Sequence, residues 1–164
     1  MKAFKRGAYM NEKFDRIFEM YNKDIFHLIF SYTLNISDAK DILQDTFMKY
    51  YTKMAIISED DLEIKKWLMR VAINKTKDNF KNYWKNKVLT IDDNVSNYYK
   101  ISTNIEMFEL LNKLNKKYRI PIYLYYYEGY SIDEIADILK LSKSAIKMRL
   151  SRAKEILKKE LEIV

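Results

Sequence analysis

The chain has no cysteine and a single histidine among its 164 residues. The first absence excludes disulfides, thiol chemistry and thiolate-bound zinc, and the second excludes a metal site built on paired imidazoles. Glycine occurs twice and proline once, so long helices meet few interruptions. No run approaches the roughly 18 consecutive apolar residues that a spanning helix requires. The basic start, residues 1–10, is not followed by an apolar run and is not expected to be a secretory signal; Met10 is an alternative start.

Apolar residues make up 48% of the chain, against a net charge of +7. This describes a folded, helix-rich chain of one ordinary domain or two small ones, with a surplus of base. The charge is unevenly spread. Residues 37–63 carry seven acids (Asp38, Asp41, Asp45, Glu59, Asp60, Asp61, Glu63) against three lysines. Residues 65–87 carry eight bases against Asp78, and residues 142–159 carry seven against Glu155. A single basic run is usually a solvated face, but two in a net-basic chain point to a polyanionic partner.

Phe14, Ile17, Phe18, Tyr21, Ile25, Leu28, Ile29 and Tyr32 recur at helical spacing. Ser37 reads as the N-cap of a second helix whose stripe is Ala39, Ile42, Leu43, Phe47, Tyr50, Tyr51 and Met54. A third helix is predicted over about 62–83, burying Trp67, Leu68, Val71, Ala72 and Phe80. Residues 88–104 are rich in Asn, Asp, Ser and Thr and lack a stripe, which predicts a flexible linker between two domains. Helical spacing resumes at Ile105, Phe108, Leu111 and Leu114. The next helix starts either at Asn115, where Pro121 costs an internal hydrogen bond, or at Pro121, where it costs none.

Glu128-Gly129-Tyr130-Ser131 reads as a helix stop and a helix start, with Ser131 and Glu134 forming a capping box. A short helix to Lys140 buries Ile132, Ile135, Ala136 and Leu139. After a break at Leu141-Ser142, with Ser142 as cap, the last helix buries Ala145, Ile146, Leu150, Ala153 and Leu157. Two such helices joined by a tight turn make a helix-turn-helix, and Ala136 suits their closest approach. The opposite side of the last helix carries Lys143, Ser144, Lys147, Met148, Ser151 and Arg152. That is the side for a major groove, with Arg149, Lys154 and Lys158 available to phosphates.

Leu114-Asn-Lys-Lys-Tyr-Arg, the stretch from Tyr126 to Leu139, and Ser144-Ala-Ile-Lys-Met-Arg-Leu-Ser-Arg-Ala-Lys together resemble region four of extracytoplasmic-function sigma factors. Asp38-Ala-Lys-Asp-Ile-Leu-Gln-Asp-Thr-Phe and Trp67-Leu-Met-Arg-Val-Ala-Ile-Asn resemble region two of the same family. The resemblance implies an all-α fold of two small helical domains, 11–87 and 105–161, joined by the linker 88–104. It implies a bacterial, cytoplasmic transcription initiation factor that binds RNA polymerase core through the β′ clamp helices and the β flap. Promoter DNA and an anti-sigma factor are the other implied partners. No catalytic residue, metal or cofactor is implied.

Carried over residue by residue, the resemblance assigns Asp38, Asp41, Gln44, Asp45 and Lys49 to core polymerase, as a solvent-facing surface. It assigns Lys66, Arg70, Asn74, Lys77 and Lys81 to the −10 element, with Lys65 and Lys85 as further phosphate contacts. Lys143, Ser144, Lys147, Met148, Arg149, Ser151 and Arg152 are assigned to the −35 element. Met148 stands where the family has a small polar residue, and the acidic loop before Trp67 replaces the family's small, polar and Arg residues. Trp67 itself is expected to be a core anchor, His27 a half-buried or interface residue, and Glu59, Asp60, Asp61 and Glu63 simply solvated. The Tyr123–Tyr127 run is expected in core and domain surface. A stand-alone helix-turn-helix regulator would not need an acidic docking helix followed by a basic, aromatic one. A metal-dependent nuclease lacks a ligand cluster, and a purely protein-binding adaptor leaves both basic stretches unexplained.

Overall fold

The apolar stripe that begins at Phe14 becomes the inner face of α1 (Lys2–Thr33). In this computed structural model the backbone is described for residues 2–83 and 105–162, and side chains for 10–78 and 107–160. Ile17, Tyr21, Ile25, Leu28 and Ile29 are buried along α1, on one face as their spacing requires. From Ile25 to Phe30 a second face is buried as well, through Phe26 and Phe30. That face meets the second half of the chain: Phe30 and Phe108 pack edge to face, ring centroids 5.0 Å apart.

Leu34 adopts a left-handed conformation (φ 50°), which turns the chain back within two residues. Asn35 then caps α2 (Ile36–Lys53), its side-chain oxygen accepting from the Asp38 amide at 2.9 Å. The cap expected at Ser37 is therefore corrected. The abrupt reversal at Leu34 starts the helix earlier, and Asn serves as well as Ser at that position. Ala39, Ile42, Phe47, Tyr50 and Met54 are buried, while Leu43 is half-buried and Tyr51 exposed.

The acidic loop before α3 (Asp61–Tyr83) is more than solvated. Asp60 caps the helix by accepting from the Glu63 amide at 2.9 Å. Arg16 holds Asp61 bidentately at 2.7 and 2.9 Å, and Lys13 pairs with Glu59 at 2.8 Å. These acids cap a helix and pin the loop to α1, a role that charge counting alone does not distinguish from solvation. Along α3, Ile64, Leu68, Met69, Val71, Ala72 and Ile73 are buried. Trp67 is only half-buried, so it is not the full core anchor expected. The Phe80 side chain and the expected linker 88–104 lie outside the described residues.

The second half contains α4 (Ile105–Asn112), α5 (Lys116–Ile122), a π-helical turn (Tyr123–Tyr127), α6 (Ile132–Leu139) and α7 (Lys143–Glu162). Asn115 caps α5, which leaves Pro121 inside the helix. Without an N–H, Pro121 leaves the carbonyl of Lys117 unpaired within the helix. The Arg149 guanidinium approaches that oxygen at 3.5 Å. Just past the proline the helix widens, with the Glu128 amide donating to the Tyr123 carbonyl at 3.2 Å. Tyr123 and Leu124 are buried there, whereas Tyr126 and Tyr127 are exposed. Gly129 closes the turn at φ 72°, a conformation that glycine adopts without strain.

The described residues contain helices and no β-strand, and the fold is all-α with two helical domains. The domains meet along α1 and α3. Arg119, buried in α5, donates to three carbonyls: Leu114 at 2.9 Å, Tyr32 at 3.1 Å and Asn112 at 3.3 Å. The Tyr32 carbonyl lies in the last turn of α1, so this one side chain joins the domains. His27 sits at the same interface, 5.9 Å from the Phe108 ring. Burial lowers its pKa, against the opposing pull of Asp24 and Glu128. Among the described residues no helix is long and apolar enough to cross a membrane.

Candidate nucleic-acid and polymerase interfaces

The helix-turn-helix is fixed by local chemistry. Ser131 accepts from the Glu134 amide at 3.3 Å, and Glu134 accepts from the Ser131 amide at 3.0 Å. Lys140 ends α6 in a left-handed conformation, the Leu141 amide donates to the Ala136 carbonyl at 3.0 Å, and Ser142 caps α7 through the Ala145 amide at 3.2 Å. Ile135, Ala136, Ile138 and Leu139 are buried on α6, and Ile146, Leu150 and Ala153 on α7.

This burial leaves Lys143, Ser144, Lys147, Met148, Ser151 and Arg152 together on the exposed side of α7. Met148 is 67% exposed among them. Lys143 pairs with Asp133 at 2.7 Å and Arg152 with Glu155 at 2.8 Å, both at the surface. Arg149 stands apart from this group: it is half-buried and directed at Lys117.

On α2, Asp41, Gln44, Asp45 and Lys49 are exposed on one side. Asp45 pairs with Lys75 of α3 at 3.0 Å. Asp38 departs from the expected solvent-facing set. It is half-buried, and burial raises its pKa, reinforced by Asp41 and opposed by Lys116 of the other domain.

The basic residues of α3 divide between two environments. Asn74 is exposed, while Lys66, Arg70 and Lys77 are half-buried. Lys66 lies 3.5 Å from Glu134, and Arg70 binds Asp137, both acids of α6. Lys77 lines a cleft of about 450 Å³ between the domains with Tyr32, Lys116, Lys117 and Arg149. The side chain of Lys81 lies outside the described residues, as does all of Lys85.

Two surfaces were not legible beforehand. A shallow cavity of about 350 Å³ is walled by Trp67, Val71, Ile56 and Ile57 and rimmed by Lys49 and Lys53. The apolar pair Ile56-Ile57 just ahead of the acidic loop was the available signal, and Ile56 is 79% exposed. The second is an apolar groove of about 530 Å³ between α4 and α7, lined by Met107, Leu110, Leu111, Ile122, Tyr126 and Leu157, with Lys154 and Lys158 beside it.

A family model described as Sigma-70 region 2 matches residues 17–86, and one described as Sigma-70, region 4 matches 105–157. The ECF RNA polymerase sigma factor SigM of Bacillus subtilis is 31% identical over 153 residues, covering 88% of this chain and 92% of that protein. SigW of the same organism is 27% identical over 183 residues, covering 98% and 94%. Among solved structures, the sigma factor RpoE bound to the anti-sigma factor NepR from Bartonella quintana has a TM-score of 0.72 at 21% identity, covering 93% of this chain and 98% of that one. CnrH bound to the cytosolic domain of CnrY has a TM-score of 0.68 at 22% identity, covering 93% and 90%. A helical two-domain protein with both regions in this order is a transcription initiation factor. This chain belongs to the extracytoplasmic-function sigma factors, alternative sigma factors that direct transcription initiation rather than catalyse it.

Proposed function

We propose that residues 11–87 bind RNA polymerase core and the −10 element, that 105–161 bind the −35 element, and that 88–104 join them. The observation that carries this reading is the two-sided α7. Its apolar side is consumed by the helix-turn-helix core, and its outer side gathers Lys143, Ser144, Lys147, Met148, Ser151 and Arg152 in the open. A helix of that kind fits a major groove, with Lys and Arg as donors to base edges and phosphates. Arg149 acts chiefly by supporting α5 through Lys117.

The −10 strand is taken by α3, through Lys66, Arg70, Asn74, Lys77 and Lys81. The cavity beside Trp67 offers an aromatic wall and two lysines, a setting suited to an unstacked base. The exposed side of α2 meets the β′ clamp helices through Asp41, Gln44, Asp45 and Lys49, with Asp38 at its edge. The apolar groove between α4 and α7 suits the β flap. The protein performs no covalent chemistry itself, works in the cytoplasm, and is restrained by an anti-sigma factor.

Replacing Asp41 by Arg and Gln44 by Ala tests the docking surface. Both residues are exposed and make no core contact, so thermal stability is expected to shift by less than about 0.5 kcal/mol. Affinity for core polymerase is expected to fall by more, because a charge is reversed at a polar contact. Unchanged core affinity would mean that this side of α2 is merely solvated.

A further inference from the structure

Three helices contribute cations to one cleft. Lys77 of α3, Lys116 and Lys117 of α5 and Arg149 of α7 line a space of about 450 Å³. Among its ten lining residues these four are cations and none is an acid. Much of the remaining wall is apolar: Ile120, Pro121 and Leu139 are buried there, and Tyr32 is half-buried. A volume of that size is ordinary for a small-ligand site, in which apolar walls take the body of the ligand and a few polar groups fix its orientation. Of the side chains proposed above to meet DNA or polymerase, only Lys77 lines it.

Like charges gathered in one cleft repel, and more so where they are partly desolvated. Lys116 registers this: burial and the neighbouring Arg119 push its pKa down to about 8, against the opposing pull of Asp38. An anion seated in the cleft would reverse that shift. Arg149 meets the Lys117 carbonyl through one N–H at 3.5 Å, and a guanidinium has five. The Tyr32 ring lies beside the lysines, its centre 5.8 Å from the Lys116 Nζ. Burial raises the pKa of the Tyr32 phenol, so its hydroxyl stays protonated and able to donate.

We propose that this cleft binds a nucleoside polyphosphate, with its phosphates against Lys77, Lys116, Lys117 and Arg149 and its base against Tyr32, Ile120, Pro121 and Leu139. A single inorganic anion would leave most of the cations and all of the apolar wall unused. A nucleic-acid strand is held by an open groove that tracks its backbone, whereas a cleft of this volume suits a small molecule. A nucleoside polyphosphate combines a flat, largely apolar body with several negative charges close together, which is the division seen in the lining. Lys and Arg donors to phosphate make charge-assisted hydrogen bonds, about twice as strong as neutral ones. A ligand that binds the folded protein alone also raises its melting temperature by mass action.

The test is titration calorimetry of the full chain with ATP, GTP and inorganic tripolyphosphate at one ionic strength, beside melting curves with each. One nucleotide is expected to bind per chain, more tightly than tripolyphosphate, and to raise the melting temperature. Lys77→Gln and Lys116→Gln are each expected to weaken nucleotide binding about five- to tenfold. Lys23→Gln removes the same charge from an exposed position on α1 and is expected to change it less than about twofold. Should Lys116→Gln alter the melting curve of the free protein, Lys117→Gln at the exposed mouth takes its place. Lys116→Gln is also expected to leave the affinity for a labelled single-stranded oligothymidylate unchanged. No binding of either nucleotide would overturn the proposal, as would an equal loss in Lys23→Gln, because net charge alone would then explain it. Tripolyphosphate binding as tightly as the nucleotides would overturn the part given to the apolar wall. An equal loss of nucleotide and oligothymidylate affinity in Lys116→Gln would overturn the proposal by making the cleft part of the path of DNA.

Discussion

Replacing Arg119 by Met is expected to destabilise the protein by about 3 kcal/mol, because hydrogen bonds to a charged donor are worth about 1.5–3 kcal/mol each and their carbonyl partners would be left unpaired. The three acceptors, on Tyr32, Asn112 and Leu114, include the last turns of α1 and α4, where helix carbonyls lack partners and the dipole favours a cation. Methionine keeps the apolar stem, so the loss reports the guanidinium. In a chain of this size the melting temperature should fall by about 6–12 °C. Arg119→Lys should recover only part of this, since an ammonium on a flexible stem does not span three carbonyls in fixed directions. Thermal and urea unfolding measure the effect. A loss under about 1 kcal/mol would mean that water replaces the guanidinium and that Arg119 does not join the domains.

The second large effect is expected at the outer side of α7. Arg152→Ala should cost about 1–3 kcal/mol of binding on the preferred −35 sequence and little on others, as loss of a bidentate base contact does. Lys147→Ala should weaken binding on all duplexes and make its salt dependence shallower, as loss of a phosphate contact does. Neither residue touches the Ile146, Leu150 and Ala153 core, so stability and core-polymerase binding should survive both changes. Promoter binding at two salt concentrations, beside a core-binding assay, separates these outcomes. Normal −35-dependent binding by the double variant would mean that α7 does not read the promoter.

The helices were legible because their apolar spacing is regular and their caps are local. Ser131 with Glu134, Gly129 and Ser142 act within four residues of themselves, and the structure has each of them as read. Ser37 failed as a cap because the left-handed turn at Leu34 moved the helix start, and nothing in the sequence marks a leucine for that conformation. The contacts between domains were illegible for a different reason. Phe26 and Phe30 fall off the main stripe of α1, and Phe30 packs on Phe108, far along the chain. Arg119 was visible as part of a family motif, but one of its three carbonyl partners, Tyr32 at the end of α1, is 87 residues away, and sequence spacing does not bring it together with Asn112 and Leu114. The residues assigned to DNA on α7 are exposed, except for Arg149, which is half-buried and directed at the Lys117 carbonyl that the proline in α5 leaves without its helix partner.

As an alternative sigma factor, this chain directs polymerase to particular promoters. Transcription in vitro with purified core polymerase, mapping start sites across the genome of the source bacterium, tests it most directly. A limited set of start sites is expected, appearing only when both core and this protein are present, each preceded by shared −10 and −35 sequences. Duplex binding by the protein with no core-dependent start sites would contradict it.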